Sequence, residues 1–565
     1  MHDHRPNVWG EATAFLERVG ARWLDFVLLL GLIGIIVGLV SLAGEWRTLR
    51  PQVQIDLSPT ALPRYAFYSL SRGLFAYALS LLFTLTYGYW AAKDAMAERV
   101  LVPLLDILQS IPVLGFMPGL VLALVALFPR SNAGLELASV IMIFTGQAWN
   151  MTFSFYHSLR GIPKDQLEAA TIYRFDWWQR LQWVELPFAT IGLVWNSMMS
   201  MAGGWFFLMI SEAFVLGHKD FRLPGIGSYM SVAVNRGDVR AMAWAIVAMV
   251  VMIVVLDQLL WRPVVVWSQK FRVEEGGEDG VAASSWFYDW LKKFKWRRRA
   301  HTRPPRPKKE RRERVSHTKA LSLVLFALLM IGLAFGAWRL AALLRQLTWR
   351  ELPPILRACG WTLGRVLLST ALGTLWTLPA GLAIGLSPRL SRIFQPLVQI
   401  AASFPAPMLF PLVIALLHAA GVALGWGSVV LMLLGTQWYI LFNVIAGATA
   451  IPGDLREASR SYRMSLRLRF TSLYLPAVFP YLVTGWVTAA GGAWNASIVA
   501  EYVTYKGQIL TANGLGAQIS RAAERADFPH LAASVMAMAA VVVLFNRTVW
   551  RRFYALAEQR FSLSK

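Results

Sequence analysis

Apolar runs long enough to cross the roughly 30 Å hydrocarbon core of a bilayer recur along this 565-residue sequence. A backbone within hydrocarbon has no water to satisfy its N–H and C=O groups, so such runs must fold as helices. Candidate spans lie at about 24–43, 66–90, 101–128, 135–158, 188–214 and 241–263. A second set lies at about 320–338, 357–387, 395–418, 426–448, 477–503 and 530–549. The fold class expected is all-α and polytopic, with about twelve transmembrane helices, six in each half. Charged residues make up only 15% of the chain, against about 25% in soluble domains. The first run is too long for a signal-peptide core and lacks a clear cleavage site, so it reads as a retained span.

Orientation follows from the lysines and arginines. The segment from Lys270 to Lys319 contains WRRRAHTRPPRPKKERRER, and such a cluster belongs in the cytoplasm. Counting outward from it puts both termini there as well. The formal charge of +23 is then a positive-inside bias, and nucleic acid is not an expected partner. The organisation expected is a cytoplasmic N-terminus (1–22), a first half (23–268), a basic cytoplasmic linker (269–319), a second half (320–550) and a cytoplasmic C-terminus (551–565). Within the linker, Trp286, Phe287, Trp290, Leu291 and Phe294 fall at helical spacing. They suit either a helix on the anionic inner leaflet or a plain basic tether, and membrane lipids are natural neighbours in both cases. Cys359 stands alone, so no internal disulfide forms, and His2 and His4 do not make a metal site.

The two halves are one pattern written twice. Shifted by 289 residues, Gly146, Trp149, Pro163, Glu168, Tyr173, Pro187, Trp205, Glu212, Gly225 and Gly227 meet identical residues without a gap. Upstream the shift is 293, where Pro103, Ser110, Pro112 and Pro118 meet Pro396, Ser403, Pro405 and Pro411. The first half therefore carries about four extra residues near 129–134. Six spans per half make the duplication parallel, which predicts a pseudo-two-fold axis along the membrane normal and a pathway where the halves meet. An ion-coupled secondary transporter with six-plus-six parallel repeats fits this much equally well.

A polar insert between the fourth and fifth spans of each half separates the two classes. It reads GIPKDQLEAATIYRFDWWQRLQWVELP (161–187) and AIPGDLREASRSYRMSLRLRFTSLYLP (450–476). Proline opens each, Glu-Ala-Ala or Glu-Ala-Ser follows five residues later, and Leu-Pro closes each nineteen residues after the glutamate. Proline at a helix start and acidic residues just inside it are favourable. The pattern predicts two short cytoplasmic helices with a turn between them.

This insert resembles the EAA loop of permease subunits of binding-protein-dependent ABC importers. Glu168, Ala169, Ala170, Leu186 and Pro187 fit the first copy; Glu457, Ala458, Ser459, Leu475 and Pro476 fit the second, Ser459 being a mild departure. Arg174 and Arg463 stand where that family has glycine, a residue that would let the turn bend freely. The segments LQSIPVLGFMP (108–118) and TANGLGAQISRAAERADF (511–528) look like the nitrate/sulfonate/taurine branch, in a duplicated, fused form. The resemblance implies a type I permease fold and a non-enzymatic subunit of the bacterial plasma membrane. It implies two copies of an ATP-binding subunit, each holding one loop, and an extracytoplasmic substrate-binding protein. The substrate implied is a small anion such as nitrate, a sulfonate or bicarbonate. The sequence has no G-x-x-x-x-G-K-[ST] phosphate loop. No cofactor is therefore expected in this chain, ATP and Mg belonging to the partner, and neither a metal site nor catalytic residues are expected.

Polar groups inside spans are costly and mark candidate pathway positions. Gln147 and Asn150 lie in the fourth span, with Gln437 and Asn443 in its counterpart. Trp205 precedes Glu212 by seven residues in the fifth span, as Trp494, beside Asn495, precedes Glu501. Seven residues is nearly two turns, so each Trp and Glu share a face. The glutamates suit either a gate near the outer end of the span or an anchor for the following Gly-rich loop. Neutral amide and indole N–H donors suit a small oxyanion, or hydrogen bonds between helices. Arg236 and Arg525 are placed to pair with Asp238 and Asp527, or to meet the binding protein.

Overall fold

The computed structural model describes residues 53–129, 131–216, 219–271, 331–332, 334–505 and 508–561. The span expected at 24–43, most of the one at 320–338, and nearly all of the basic linker lie outside the described residues.

Each half repeats one helical order. The first runs α1 (Pro59–Lys93), α2 (Ala95–Ser110), α3 (Val113–Leu127), α4 (Ala133–Arg160), α5 (Lys164–Ile172) and α6 (Trp177–Glu212). A hairpin of β1 (Val215–Leu216) and β2 (Lys219–Asp220) follows, then α7 (Ile226–Arg236) and α8 (Val239–Phe271). After α9 (Ala334–Leu344) come α10 (Trp349–Leu386), α11 (Pro388–Ser403), α12 (Phe410–Ala419), α13 (Leu424–Thr449), α14 (Gly453–Ser461) and α15 (Leu466–Ala500). The hairpin of β3 (Tyr502–Tyr505) and β4 (Gln508–Thr511), α16 (Leu515–Glu524) and α17 (Phe528–Ala557) complete the second half. Both hairpins are antiparallel.

Among the described residues, seven helices are long and apolar enough to cross a membrane, or eight if a bent pair counts as one span. The bent pair corrects the simple span expected at 101–128. Ala97–Gln109 and Val113–Leu127 meet at 95°. Pro112 lacks an amide hydrogen and keeps Ile111 out of helical geometry, so the chain turns there. The span expected at 395–418 is broken in the same place in the repeat. There α11 ends at Ser403, and a short turn at Ala406–Met408 leads into α12.

Caps mark the other boundaries. Asp238 and Asp527 accept backbone N–H bonds from Ala241 and His530 at the starts of α8 and α17. Asp527 also pairs with His530 at 2.7 Å. The expected pairing of these carboxylates with Arg236 and Arg525 is not made among the described ion pairs, because each carboxylate is turned into the N-terminus of the next helix.

The halves interlock around the bends. The α3 helix packs against α15 and α16 of the other half, while α11 and the Ala406–Met408 turn pack against α6. One buried apolar cluster runs through both halves, joining Val113, Leu114 and Met117 to Ile498, Val535 and Met538. A Cβ on Gly115 would lie 3.2 Å from Val535, so glycine lets these helices approach closely. This reciprocal exchange gives the pseudo-two-fold arrangement that the parallel repeat predicts.

Candidate functional site

The two polar inserts fold alike. Pro163 and Pro452 precede α5 and α14, with Asp165 and Asp454 in the first turns. Each helix ends in the same tight cap. The N–H of Arg174 donates to the Thr171 carbonyl at 3.0 Å, and that of Phe175 to Ala170 at 2.9 Å. Arg463 donates to Arg460 at 2.9 Å and Met464 to Ser459 at 3.1 Å. Such paired bonds require a left-handed residue at the turn, usually glycine. Arg174 and Arg463 occupy it, at φ 52° and 49°.

An arginine there bears a steric penalty of about 1–2 kcal/mol that glycine escapes. Arg174→Gly is therefore expected to stabilise its turn by about 1 kcal/mol, and Arg174→Val to destabilise it. Thermal unfolding of the two variants in detergent checks the opposite signs.

After the turn the chain does not form a separate second helix, as the sequence suggested. Asp176 and Gln179 form a capping box, Ser465 caps the second copy, and each helix runs through a π-turn into the span. The π-turns lie at Leu181–Glu185 and Phe470–Tyr474, the same place in both repeats. The helical turns at Trp177–Arg180 and Leu466–Arg469 and the fifth spans are thus continuous rods.

Within each loop Glu168 and Glu457 are exposed, while Ala170 and Ser459 are buried beneath them. Ala169 is half-buried and Ala458 exposed. Leu186–Pro187 and Leu475–Pro476 sit where the π-turn gives way to the span. One buried group breaks the symmetry. Glu185 is fully buried beside Leu186 and pairs with Arg180 at 2.9 Å and with Lys93 at the end of α1; its counterpart is Tyr474.

At the opposite ends of α6 and α15 stands a duplicated carboxylate clamp. Glu212 accepts hydrogen bonds from Ser69 Oγ at 2.8 Å, Arg72 Nη1 at 2.7 Å and the Gly227 amide at 2.9 Å. Glu501 accepts from Thr362 Oγ1 at 2.9 Å, Arg365 Nη1 at 2.8 Å and the Gly516 amide at 2.9 Å. Both side chains are fully buried. Arg72 and Arg365 also donate to the carbonyls of Pro224 and Asn513. A Cβ on Gly225 or Gly514 would lie 2.2 or 2.1 Å from a carboxylate oxygen, so only glycine fits there.

Arg72 reaches a second carboxylate, Glu136 at 2.5 Å, where Arg365 takes the Gly425 carbonyl at 3.0 Å instead. The sequence reading found the glutamates and the glycines but missed the cations. Their signal was Ser69-Leu-x-Arg72 and Thr362-Leu-x-Arg365, a polar pair inside an apolar span, repeated at the upstream shift.

The structure does not draw the amides named from the sequence into one cluster. Gln147 is buried between Ser80 and Met201, with Gly204 against its amide. Asn150 is half-buried on α4. Gln437 accepts from the Trp376 indole at 3.0 Å, and Asn443 donates to the Tyr439 carbonyl on its own helix. Trp205 and Trp494 are buried in the core, Trp205 lying over Gly73.

Asn495 crosses between halves, accepting the Val113 amide at 2.7 Å. Asn495→Leu would orphan that N–H at the seam, at a cost of about 1–3 kcal/mol. Thermal unfolding should show the loss, and Phe206→Leu, at the repeat-equivalent position, should show less. Tyr439, which the sequence reading did not select, stands opposite Asn150 in the repeat. Its ring lies 3.3 Å from a Cβ placed on Gly492, and its hydroxyl 3.7 Å from one placed on Gly203 of the other half. It therefore sits between the two fifth-span helices.

The chain matches the profile of the binding-protein-dependent transport system inner membrane component twice, at residues 84–260 and 377–563, together more than half of its length. It belongs to this family. Both matches of this inner membrane component contain one insert and one clamp glutamate. Among its relatives is the nitrate import permease protein NrtB of Leptolyngbya laminosa, 28% identical over 26% of this chain and 52% of the relative. The bicarbonate transport system permease protein CmpB of Synechocystis sp. is also 28% identical, over 25% and 49%. The taurine transport system permease protein TauC of Escherichia coli is 23% identical over 29% and 56%. The chain spans about half the length of these curated relatives in each alignment. The duplicated permease expected from the sequence is thus shown, as a multi-pass membrane protein.

Proposed function

We propose that this chain is a membrane permease of an ATP-driven importer for a small anion, with each of its loops held by one cytoplasmic ATP-binding subunit. The observation that carries this reading is the repeated loop. Two exposed glutamates stand on identically capped short helices, each joined by the same left-handed turn to a helix that continues into a span. Among the described residues, no contact calls for Glu168 or Glu457, and an exposed, charged, rigid surface is what a moving partner can grip.

On this reading Glu168, Ala169, Ala170, Arg174, Leu186 and Pro187 form one handle, and Glu457, Ala458, Ser459, Arg463, Leu475 and Pro476 the other. Closure of the ATP-binding subunits draws the handles together, and the rods α6 and α15 transmit the movement. The pathway lies along the seam between them, near Gly203, Gly492 and Tyr439. Neutral donors such as the Tyr439 hydroxyl and the Asn150 amide suit an anion better than a fixed carboxylate does. We assign Glu212 and Glu501 to anchoring the outer loops rather than to the pathway, because their oxygens are already bonded to Arg72, Arg365 and the loop amides. The basic linker and both termini face the cytoplasm, and an extracytoplasmic binding protein delivers the substrate.

Nitrate, bicarbonate and taurine are the substrates named for the three relatives above, other relatives being named for betaines, and the choice here rests with the binding protein. A thermal-shift screen of that protein against small anions assigns it. Purification of the full chain with its ATP-binding partner tests the architecture. The expected complex holds one chain and two ATP-binding subunits; a chain that purifies without any such subunit overturns the reading.

A further inference from the structure

The two handles have one backbone and two chemistries. Over 161–187 three cations face four carboxylates, a net charge of −1, whereas over 450–476 five arginines face two carboxylates, a net of +3. The repeat shift shows where the difference arises. Leu167, Thr171 and Trp178 of the first loop are replaced by Arg456, Arg460 and Arg467 in the second. Arg460 and Arg467 are exposed, flank the left-handed Arg463, and form no ion pair among the described residues. In the first loop the same surface presents Trp177 and Trp178, 60% and 53% exposed. Backbone geometry does not explain the substitutions, since the caps, the turns and the π-turns are the same in both copies.

We propose that the two loops dock non-equivalently on the ATP-binding subunit: the second through its arginines onto acidic residues of that subunit's docking surface, the first through its tryptophans onto apolar residues of the same surface. This rests on the reading of the loops as handles for ATP-binding subunits. Unpaired arginines at the rim of a docking helix steer encounter and are screened by salt, while buried aromatic area is not. Salt should therefore release one ATP-binding subunit before the other. The asymmetry also gives the fused chain a fixed sense, with one side held by charge and the other by apolar contact. A permease built from two identical subunits has no such sense.

The test uses the full chain in nanodiscs of zwitterionic lipid and the nucleotide-free ATP-binding subunit that purifies with it. Occupancy is counted by mass photometry. At low salt two subunits are expected per chain; near about 1 M salt, where the screening length is roughly 3 Å, one is expected. Arg460→Thr with Arg467→Trp, the residues of the first loop, should weaken the salt-sensitive site about tenfold at low salt. Thr171→Arg with Trp178→Arg should make the first site salt-sensitive as well. These positions are exposed, so folding is expected to be unaffected. Equal salt sensitivity at both wild-type sites overturns the proposal, as does an arginine replacement without effect. A loss seen only in nanodiscs containing anionic lipid would assign the arginines to headgroups and overturn it too. Failure of the wild-type chain to bind any subunit at low salt is a separate result, and sinks the handle reading itself.

Discussion

Glu212→Ala is expected to destabilise the protein by about 3–5 kcal/mol, the cost of leaving one member of a buried ion pair alone. Arg72 would keep Glu136 but lose its bond to the anchor, and the amides of Gly227 and Ile226 would lose the carboxylate and the serine that it orients. The loop from Pro224 onward would keep only the Arg72 bond to the Pro224 carbonyl on the α1 side and lose its carboxylate anchor on α6. Glu501→Ala should do the same to the second half, and more severely at Arg365, whose only described ion-pair partner is Glu501. Glu212→Gln separates charge from shape. It retains the acceptor oxygen but not the charge, so an intermediate loss is expected. Thermal unfolding of the purified chain checks the order wild type, Gln, Ala. Full stability of Glu212→Ala, with normal transport, would contradict the anchor assignment.

The largest effect on function is expected from Glu168→Ala combined with Glu457→Ala. Both residues are exposed and unpaired among the described ion pairs, so stability should change by less than about 0.5 kcal/mol. Transport should nevertheless be abolished, because on the proposed function both loops lose their hold on the ATP-binding subunits. Clamp variants should lose fold and function together; loop variants should lose function alone. Wild-type uptake in the double loop variant would sink the coupling assignment, whatever the fate of the clamp.

The reasons some of this was legible in the sequence are physical. A gapless repeat preserves every helical phase, so one half predicts the other, and apolar length alone gives the spans. Bends are harder. Pro103 and Pro118 lie inside helices while Pro112 breaks one, and a proline by itself does not say in sequence which of these it does. The left-handed turn was half visible. The family pattern marked the position, but arginine, a residue that rarely adopts positive φ, concealed the geometry. The clamp was read from its carboxylates and glycines because those sit close together in sequence. Its cations lie about 140 residues earlier, and no local pattern connects them. The π-turns left no sequence signature at all, since a single extra residue in a helical turn leaves the apolar pattern nearly unchanged.

The most direct test of the central claim is uptake into liposomes holding the full chain, its ATP-binding subunits and its binding protein, with a labelled small anion outside. Uptake that needs ATP inside the subunits' compartment and ignores proton or sodium gradients is the predicted result. Uptake driven by an ion gradient without ATP would contradict the account and return the chain to the class of ion-coupled transporters.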